Sequence, residues 1–167
     1  ARLGNANAQG EYYLTDVIAE AVADGVDVEV RHPASAHECL GVNTLAELAE
    51  LQERLRRTRL QELLAAGVSI EDPASTWVSS EAVVEPDARL RPFTFVEGRS
   101  VVRAGASVGP FARIVAAEIG PGAQVLDHCL LQSCVLGAGA SVGPFARVRP
   151  ESEIGARAHV GNFVELK

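Results

Sequence analysis

Residues 78–114 read VSSEAVVEPDARLRPFTFVEGRSVVRAGASVGPFARI, and every sixth one is aliphatic: Val78, Val84, Leu90, Val96, Val102, Val108 and Ile114. A one-residue slip leads to Ile119, Val125 and Leu131, and a second slip to Leu136, Val142, Val148, Ile154 and Val160. All fifteen positions are aliphatic, whereas Val, Leu and Ile are 42 of the 167 residues, so chance does not explain the pattern. Four residues after most of them stands a small side chain, as at Ala88, Thr94, Ser100, Ala106, Ala112, Ala123, Cys129, Ala140, Ala146, Ser152 and Ala158. Gly follows the aliphatic residue directly at 109, 120, 137, 143, 155 and 161.

A six-residue period of this kind predicts a parallel β-helix, each hexad being one short strand and one corner. The aliphatic residue points inward and stacks on its equivalents above and below. The small residue fits where the wall turns, and Gly permits a tight turn. Three hexads close one triangular coil, so fifteen give about five coils, stacked ~4.8 Å apart. ASVGPFAR occurs at 106–113 and again at 140–147. The copies are six hexads apart, or two coils, which puts Phe111 and Phe145 on one face.

The first 70 or so residues have other periods. Residues 11–23 place Leu14, Val17, Ile18 and Ala21 at helical spacing, with Gly25 at the αL cap. Val26, Val28 and Val30 alternate with charged residues as in a half-buried strand, which Pro33 ends. After a loop at 32–43, Thr44 and Glu47 form a capping box for a second helix closed by Gly67. Leu45, Leu48, Leu51, Leu55, Leu60, Leu63 and Leu64 supply its buried stripe. Glu50/Arg54 and Glu53/Arg57 are i,i+4 pairs. Arg54, Arg56, Arg57 and Arg59 form the one basic cluster; a solvated helix face explains it better than an anion site.

Composition narrows the function. A net charge of −7 argues against sequence-independent nucleic-acid binding. No apolar run approaches the ~18 residues of a membrane span, and no signal-peptide pattern opens the chain. Cys39, Cys129 and Cys134 are odd in number and lack a CxxC pair, so neither a disulfide framework nor a zinc knuckle is indicated; a reducing, cytoplasmic setting fits. With no Met and Ala at position 1, the chain is expected to be an internal piece of a longer protein.

NAQGEYYLTD (7–16), GVNTLAELAELQ (41–52), LLAAGVSIEDPA (63–74), GPFARVRP (143–150) and HVGNFVELK (159–167) resemble, in order and spacing, a bacterial bifunctional family. Its members join an N-acetylglucosamine-1-phosphate uridyltransferase to a glucosamine-1-phosphate N-acetyltransferase. The resemblance implies that residues 1–72 are the C-terminal end of a Rossmann-like α/β uridyltransferase domain with its connecting helix. Residues 73–167 would be the first coils of a left-handed parallel β-helix of hexapeptide repeats, the acetyltransferase domain. It further implies a homotrimer built through the β-helices, small-molecule sugar phosphates and nucleotides as partners, acetyl-CoA and UTP as co-substrates, and Mg2+.

Site residues carry over where motifs match. Asn7, before AQGEYY, matches the asparagine that ligates Mg2+ and touches the sugar nucleotide; a carbonyl oxygen suits a hard cation. Ala6 departs from a run of asparagines common there, which leaves Asn5 as a lesser alternative. Arg149 and Lys167 match the basic pair holding the sugar phosphate, an Arg fork and a Lys point charge. Being three hexads apart with no slip, they should stack one coil apart. Glu165 stands two residues from Lys167 and could orient it. The family's general-base histidine falls beyond Lys167; His159 does not match it and reads as structural. Hence no catalytic residue is assigned, and the chain alone is expected to be inactive. His128, Cys129 and Cys134 look like a loose metal cluster, but Cys129 occupies a small inward position. A single-function nucleotidyltransferase with a regulatory β-helix and a non-catalytic scaffold are the competing readings.

Overall fold

The computed structural model describes residues 3–5, 8–34 and 39–167. They form two compact units, Ala1–Val42 and Asn43–Lys167.

In the first unit, α1 (Leu14–Ala23) starts three residues later than the periodicity predicts. It ends in a Schellman turn: Gly25 N–H donates to Val22 O and Val26 N–H to Ala21 O. None of its residues is buried, and Leu14, Val17, Ile18 and Val22 are all exposed. The strand expected at 26–30 is not formed. A strand persists only where a neighbour completes its ladder, and no described segment pairs with this one; Val26, Val28 and Val30 are exposed. The Rossmann-like α/β layer therefore stays an expectation for this part of the chain.

The second unit opens with α2 (Leu45–Ala65), whose capping box is present as read: Glu47 N–H donates to Thr44 Oγ1 at 3.2 Å and Thr44 N–H to Glu47 Oε2 at 3.0 Å. Hydrogen bonds from Asn43 N–H and then Thr44 N–H hold the Glu47 carboxyl below its ordinary range. The predicted leucine stripe is only partly buried. Leu60 and Leu63 are in the core, while Leu45, Leu48, Leu55 and Leu64 are exposed, because only the last turns of α2 pack on the coils. Gly67 closes the helix with a Schellman turn that brings Val68 over Leu63.

From there the chain winds as a left-handed parallel β-solenoid of about five turns. Its first wall stacks β1 (Ser69–Ile70), β4 (Arg89–Leu90), β7 (Ser107–Val108), β10 (Gln124–Val125), β13 (Ser141–Val142) and β16 (His159–Val160). The second stacks β2 (Trp77–Val78), β5 (Phe95–Glu97), β8 (Arg113–Val115), β11 (Leu130–Gln132), β14 (Arg147–Val148) and β17 (Glu165–Leu166). The third stacks β3 (Val83–Val84), β6 (Val101–Val102), β9 (Glu118–Ile119), β12 (Val135–Leu136) and β15 (Glu153–Ile154). All fifteen hexad residues face inward, and those from Leu90 to Val148 are 0–1% exposed. Two strands escape the hexad reading: Ile70 lies eight residues before Val78, and Leu166 simply continues the period by six.

The two slips have a structural counterpart. Arg89 pairs with Ser107, a full three hexads on, but the steps from Ser107 to Gln124 and from Gln124 to Ser141 are each one residue shorter; Ser141 with His159 restores the full step. Each slip falls between the second and third walls, at Ile114–Ile119 and Leu131–Leu136. Losing one residue at a corner leaves the period of two along each strand unbroken, so the inward set stays inward. The small residues line the same interior. Two of the polar ones are satisfied there, Thr94 Oγ1 donating to Val108 O and Ser100 Oγ to Glu97 O, whereas the Ser152 hydroxyl is buried without a partner.

Candidate functional site

The outer face of the second wall carries the charges that the sequence singles out. In β14 and β17, Arg147 pairs with Glu165 and Val148 with Leu166, and Arg149 N–H donates to Leu166 O at 3.1 Å. That register sets Arg149 beside Lys167 on the same wall, one coil apart, about 4.8 Å by strand spacing. The alignment follows from sequence: three hexads make one coil wherever no slip intervenes.

Register also brings in a group whose role the sequence leaves open. Glu165 Oε1 lies 2.8 Å from Arg149 Nε and 4.0 Å from Arg147 Nη1. Glu165 therefore attends the two arginines. Arg149 Nε is buried and, despite the short distance, has no acceptor at hydrogen-bonding angle. The contact is an ion pair without the directed fork that a guanidinium makes with a well-placed oxyanion.

This pair repeats a motif found elsewhere on the solenoid. A residue just after an inward position reaches the residue just before the inward position of the next coil. Glu97 meets Arg113 Nε at 2.6 Å, and Arg103 meets Glu118 at 2.9 Å while also holding Glu85 at 2.9 Å. Arg149 and Glu165 occupy the same diagonal. Bonding to Arg103 and to Ala104 N–H holds the Glu85 carboxyl below its ordinary range, while Glu85 and Glu118 raise the Arg103 guanidinium.

The basic cluster on α2 is a solvated face only in part: Arg54 and Arg57 are exposed, whereas Arg56 and Arg59 turn to the first coil. The Arg56 side chain is 9% exposed, ion-paired to Glu53 at 2.7 Å, bonded to the Pro73 and Thr76 carbonyls, and set 5.1 Å over the Trp77 ring. Arg59 donates to Ala82 O at 2.7 Å. Both clamp the helix to the first coil. A groove of about 760 Å³ beside them, lined by Leu55, Arg59, Trp77 and Phe95, lies at the end of the solenoid away from Arg149.

His159 is exposed on the first wall, its Nδ1 2.7 Å from Ser141 Oγ, and so belongs to a different wall from Arg149 and Lys167. His128 stacks between Phe111 and Phe145, with centroids 4.7 and 4.9 Å away. Phe93 and Phe163 extend this ladder along one corner, each ring at a residue with φ between 54° and 57°. The signal was present as Pro92-Phe93, Pro110-Phe111, Pro144-Phe145 and Asn162-Phe163 at one- or two-coil spacing, with Asp127-His128 between them. Cys129 and Cys134 are buried, and burial pushes both thiols up, Cys134 to about 11. Among the described residues no three His, Cys, Asp or Glu side chains gather as a metal site. Asn7 lies outside the described residues; Asn5 is exposed. No described helix is long and apolar enough to cross a membrane.

No family model matches the chain. It is 46% identical over 166 residues to the bifunctional protein GlmU of Stutzerimonas stutzeri (strain A1501), an alignment covering 99% of this chain and 37% of that protein. To the same protein of Methylibium petroleiphilum it is 46% identical over all 167 residues, 36% of that protein, and to that of Pseudomonas putida 44% identical over 166, again 36%. The chain thus spans little more than a third of the length of these relatives. Among solved structures, the acetyltransferase domain of PglB from Neisseria gonorrhoeae, in complex with acetyl coenzyme A, superposes with a TM-score of 0.55 at 19% identity, covering 95% of this chain and 85% of that one. That likeness supports the solenoid fold.

Proposed function

We propose a function for a chain that is homologous over its whole length to a segment of the bifunctional GlmU proteins: it carries part of the acetyltransferase site of an enzyme that makes a nucleotide-activated N-acetyl sugar. The two reactions are acetyl transfer from acetyl-CoA to glucosamine-1-phosphate, then uridylyl transfer from UTP to N-acetylglucosamine-1-phosphate. Residues 1–72 belong to the C-terminal end of the uridyltransferase domain and 73–167 to the start of the acetyltransferase domain. The packing of α2 onto the coils is compatible with this division, since a connecting helix can rest on the domain it leads into.

The observation that carries the reading is the stacking of Arg149 and Lys167 on one wall with no slip between them. Two cations one coil apart fit a single phosphate, the guanidinium supplying a planar fork and the ammonium a point charge. Their task is to bind and orient: fixing the phosphate fixes the sugar ring, and with it the amine that must meet the acetyl donor. Proton removal from that amine needs a base within hydrogen-bond reach. His159 is on another wall, and the resemblance to the bifunctional family implies a base outside this chain, which alone turns over neither substrate. Asn7 would contribute a carbonyl oxygen to Mg2+. A hard cation takes several oxygen ligands, of which Asn7 would supply one. Assembly is as a homotrimer through the solenoids, in the cytoplasm, where the three free thiols stay reduced.

Titration of the chain with glucosamine-1-phosphate, followed by NMR or calorimetry, tests the reading. Arg149→Ala and Lys167→Ala should each weaken binding by about tenfold or more, the loss of a charged hydrogen-bonding partner. Unchanged binding in both variants would remove the proposal and leave a scaffold.

A further inference from the structure

Arg149 faces two anions that cannot both have it. Without ligand, Glu165 sits 2.8 Å from its Nε, and a sugar phosphate at Arg149 and Lys167 needs the same guanidinium edge. The carboxylate must be displaced, and unless it finds a new cation, the cost of uncoupling it is subtracted from phosphate binding. Such a cation is in place. Arg147 precedes the inward Val148 as Glu165 precedes the inward Leu166, the two are register partners, and Arg147 Nη1 is already 4.0 Å from the carboxylate oxygen that touches Arg149. The Arg147 side chain is about half exposed and has room to follow.

We propose that Arg147 is a positioning residue that takes Glu165 off Arg149 when the phosphate of an amino-sugar phosphate arrives. This rests on the reading of Arg149 and Lys167 as the phosphate pair. Two features favour a handover over a permanent Arg149–Glu165 pair. The diagonal contact lacks hydrogen-bond alignment at Arg149 Nε, unlike the equivalent Glu97–Arg113 pair, where Arg113 Nε and Nη2 both donate to the carboxylate at 2.6 and 3.2 Å. At the Glu97 position the register partner is Val115, which offers no second cation, whereas Glu165 has Arg147. The cluster of Arg147, Arg149, Lys167 and Glu165 carries a formal charge of +2, so a dianionic phosphate neutralises it while Glu165 and Arg147 remain paired.

The handover separates from simple long-range attraction by a double-mutant cycle read as glucosamine-1-phosphate affinity. Arg147→Ala should weaken binding about tenfold when Glu165 is present and less than about threefold in a Glu165→Gln background, where no carboxylate needs moving. Arg147→Lys keeps the charge and should recover most of the affinity. An equal loss from Arg147→Ala in both backgrounds would overturn the inference, because charge alone would then explain it. Binding that ignores Arg149→Ala and Lys167→Ala would instead overturn the phosphate-site reading itself. Both arginines are solvent-facing, and matching thermal midpoints would show that the variants report on binding and not on folding.

Discussion

Glycine does two different jobs in this solenoid. Gly109 and Gly143 have φ of +95° and +103°, which a side chain disfavours. Gly120 and Gly137 have no such φ; their constraint is the next coil. A Cβ on Gly137 would stand 2.6 Å from Ala156 N and 2.8 Å from Gly155 C, and backbone cannot step aside. Gly155, next in the same column, would meet nothing within 4 Å. Gly137→Ala should therefore cost about 1–3 kcal/mol, as overpacking does, while Gly155→Ala should cost less than ~1 kcal/mol. Urea denaturation of the two variants checks this, and equal midpoints would contradict it. The sequence reading attaches one role, the tight turn, to every glycine after an aliphatic residue; which atoms face each glycine depends on the coil above.

At the scale of the element, α2 shows where periodicity misleads. Seven leucines read as one buried stripe, yet only the final turns touch the coils, so most of the stripe is exposed in this chain. What anchors the helix is Arg56, a residue that charge pattern assigns to solvent. Arg56→Ala would leave the Pro73 and Thr76 carbonyls short of a donor and Glu53 without its nearer cation. It should destabilise the unit by about 1–3 kcal/mol, whereas Arg57→Ala, on the exposed side, should cost no more than ~0.5 kcal/mol. Thermal unfolding of both variants decides the matter, and an Arg56 variant indistinguishable from the Arg57 variant would refute the clamp. The arginines were visible in the sequence; their carbonyl partners, which the first coil carries back to the helix, were not.

For the molecule as a whole, the walls are held inside by stacked aliphatics and outside by cross-coil carboxylate pairs. Of the cross-coil carboxyls, Glu85 is held below its ordinary 4.5 by Arg103, while local bonds do the same for Glu47 and Glu53 on α2 and for Asp72, ordinarily 3.8, in the turn after β1. Protons therefore bind the unfolded chain more readily than the folded one. The stabilisation is complete above pH ~5 and drains away as pH falls through the lowered folded values. The urea midpoint should drop between pH 7 and pH 3, and Glu85→Gln should lower it at pH 7 while narrowing the difference between the two. A midpoint that holds or rises on acidification would show that these lowered carboxyls do not stabilise the fold.

The sequence by itself determined the solenoid: the period of six, its two slips, the inward set and the alignment of Arg149 with Lys167 are all consequences of residues per coil. It missed Ile70 because the first turn is longer, and it called for a strand at 26–30 that no described neighbour completes. Only the tertiary structure decided what the outward residues do. The diagonal pairs, the Phe–His corner ladder, the Arg56 clamp and the hold of Glu165 on Arg149 each join side chains from separate coils or elements. Burial is dictated locally by which way a pleated strand points, but an exposed charge takes whichever partner the neighbouring coil brings within reach.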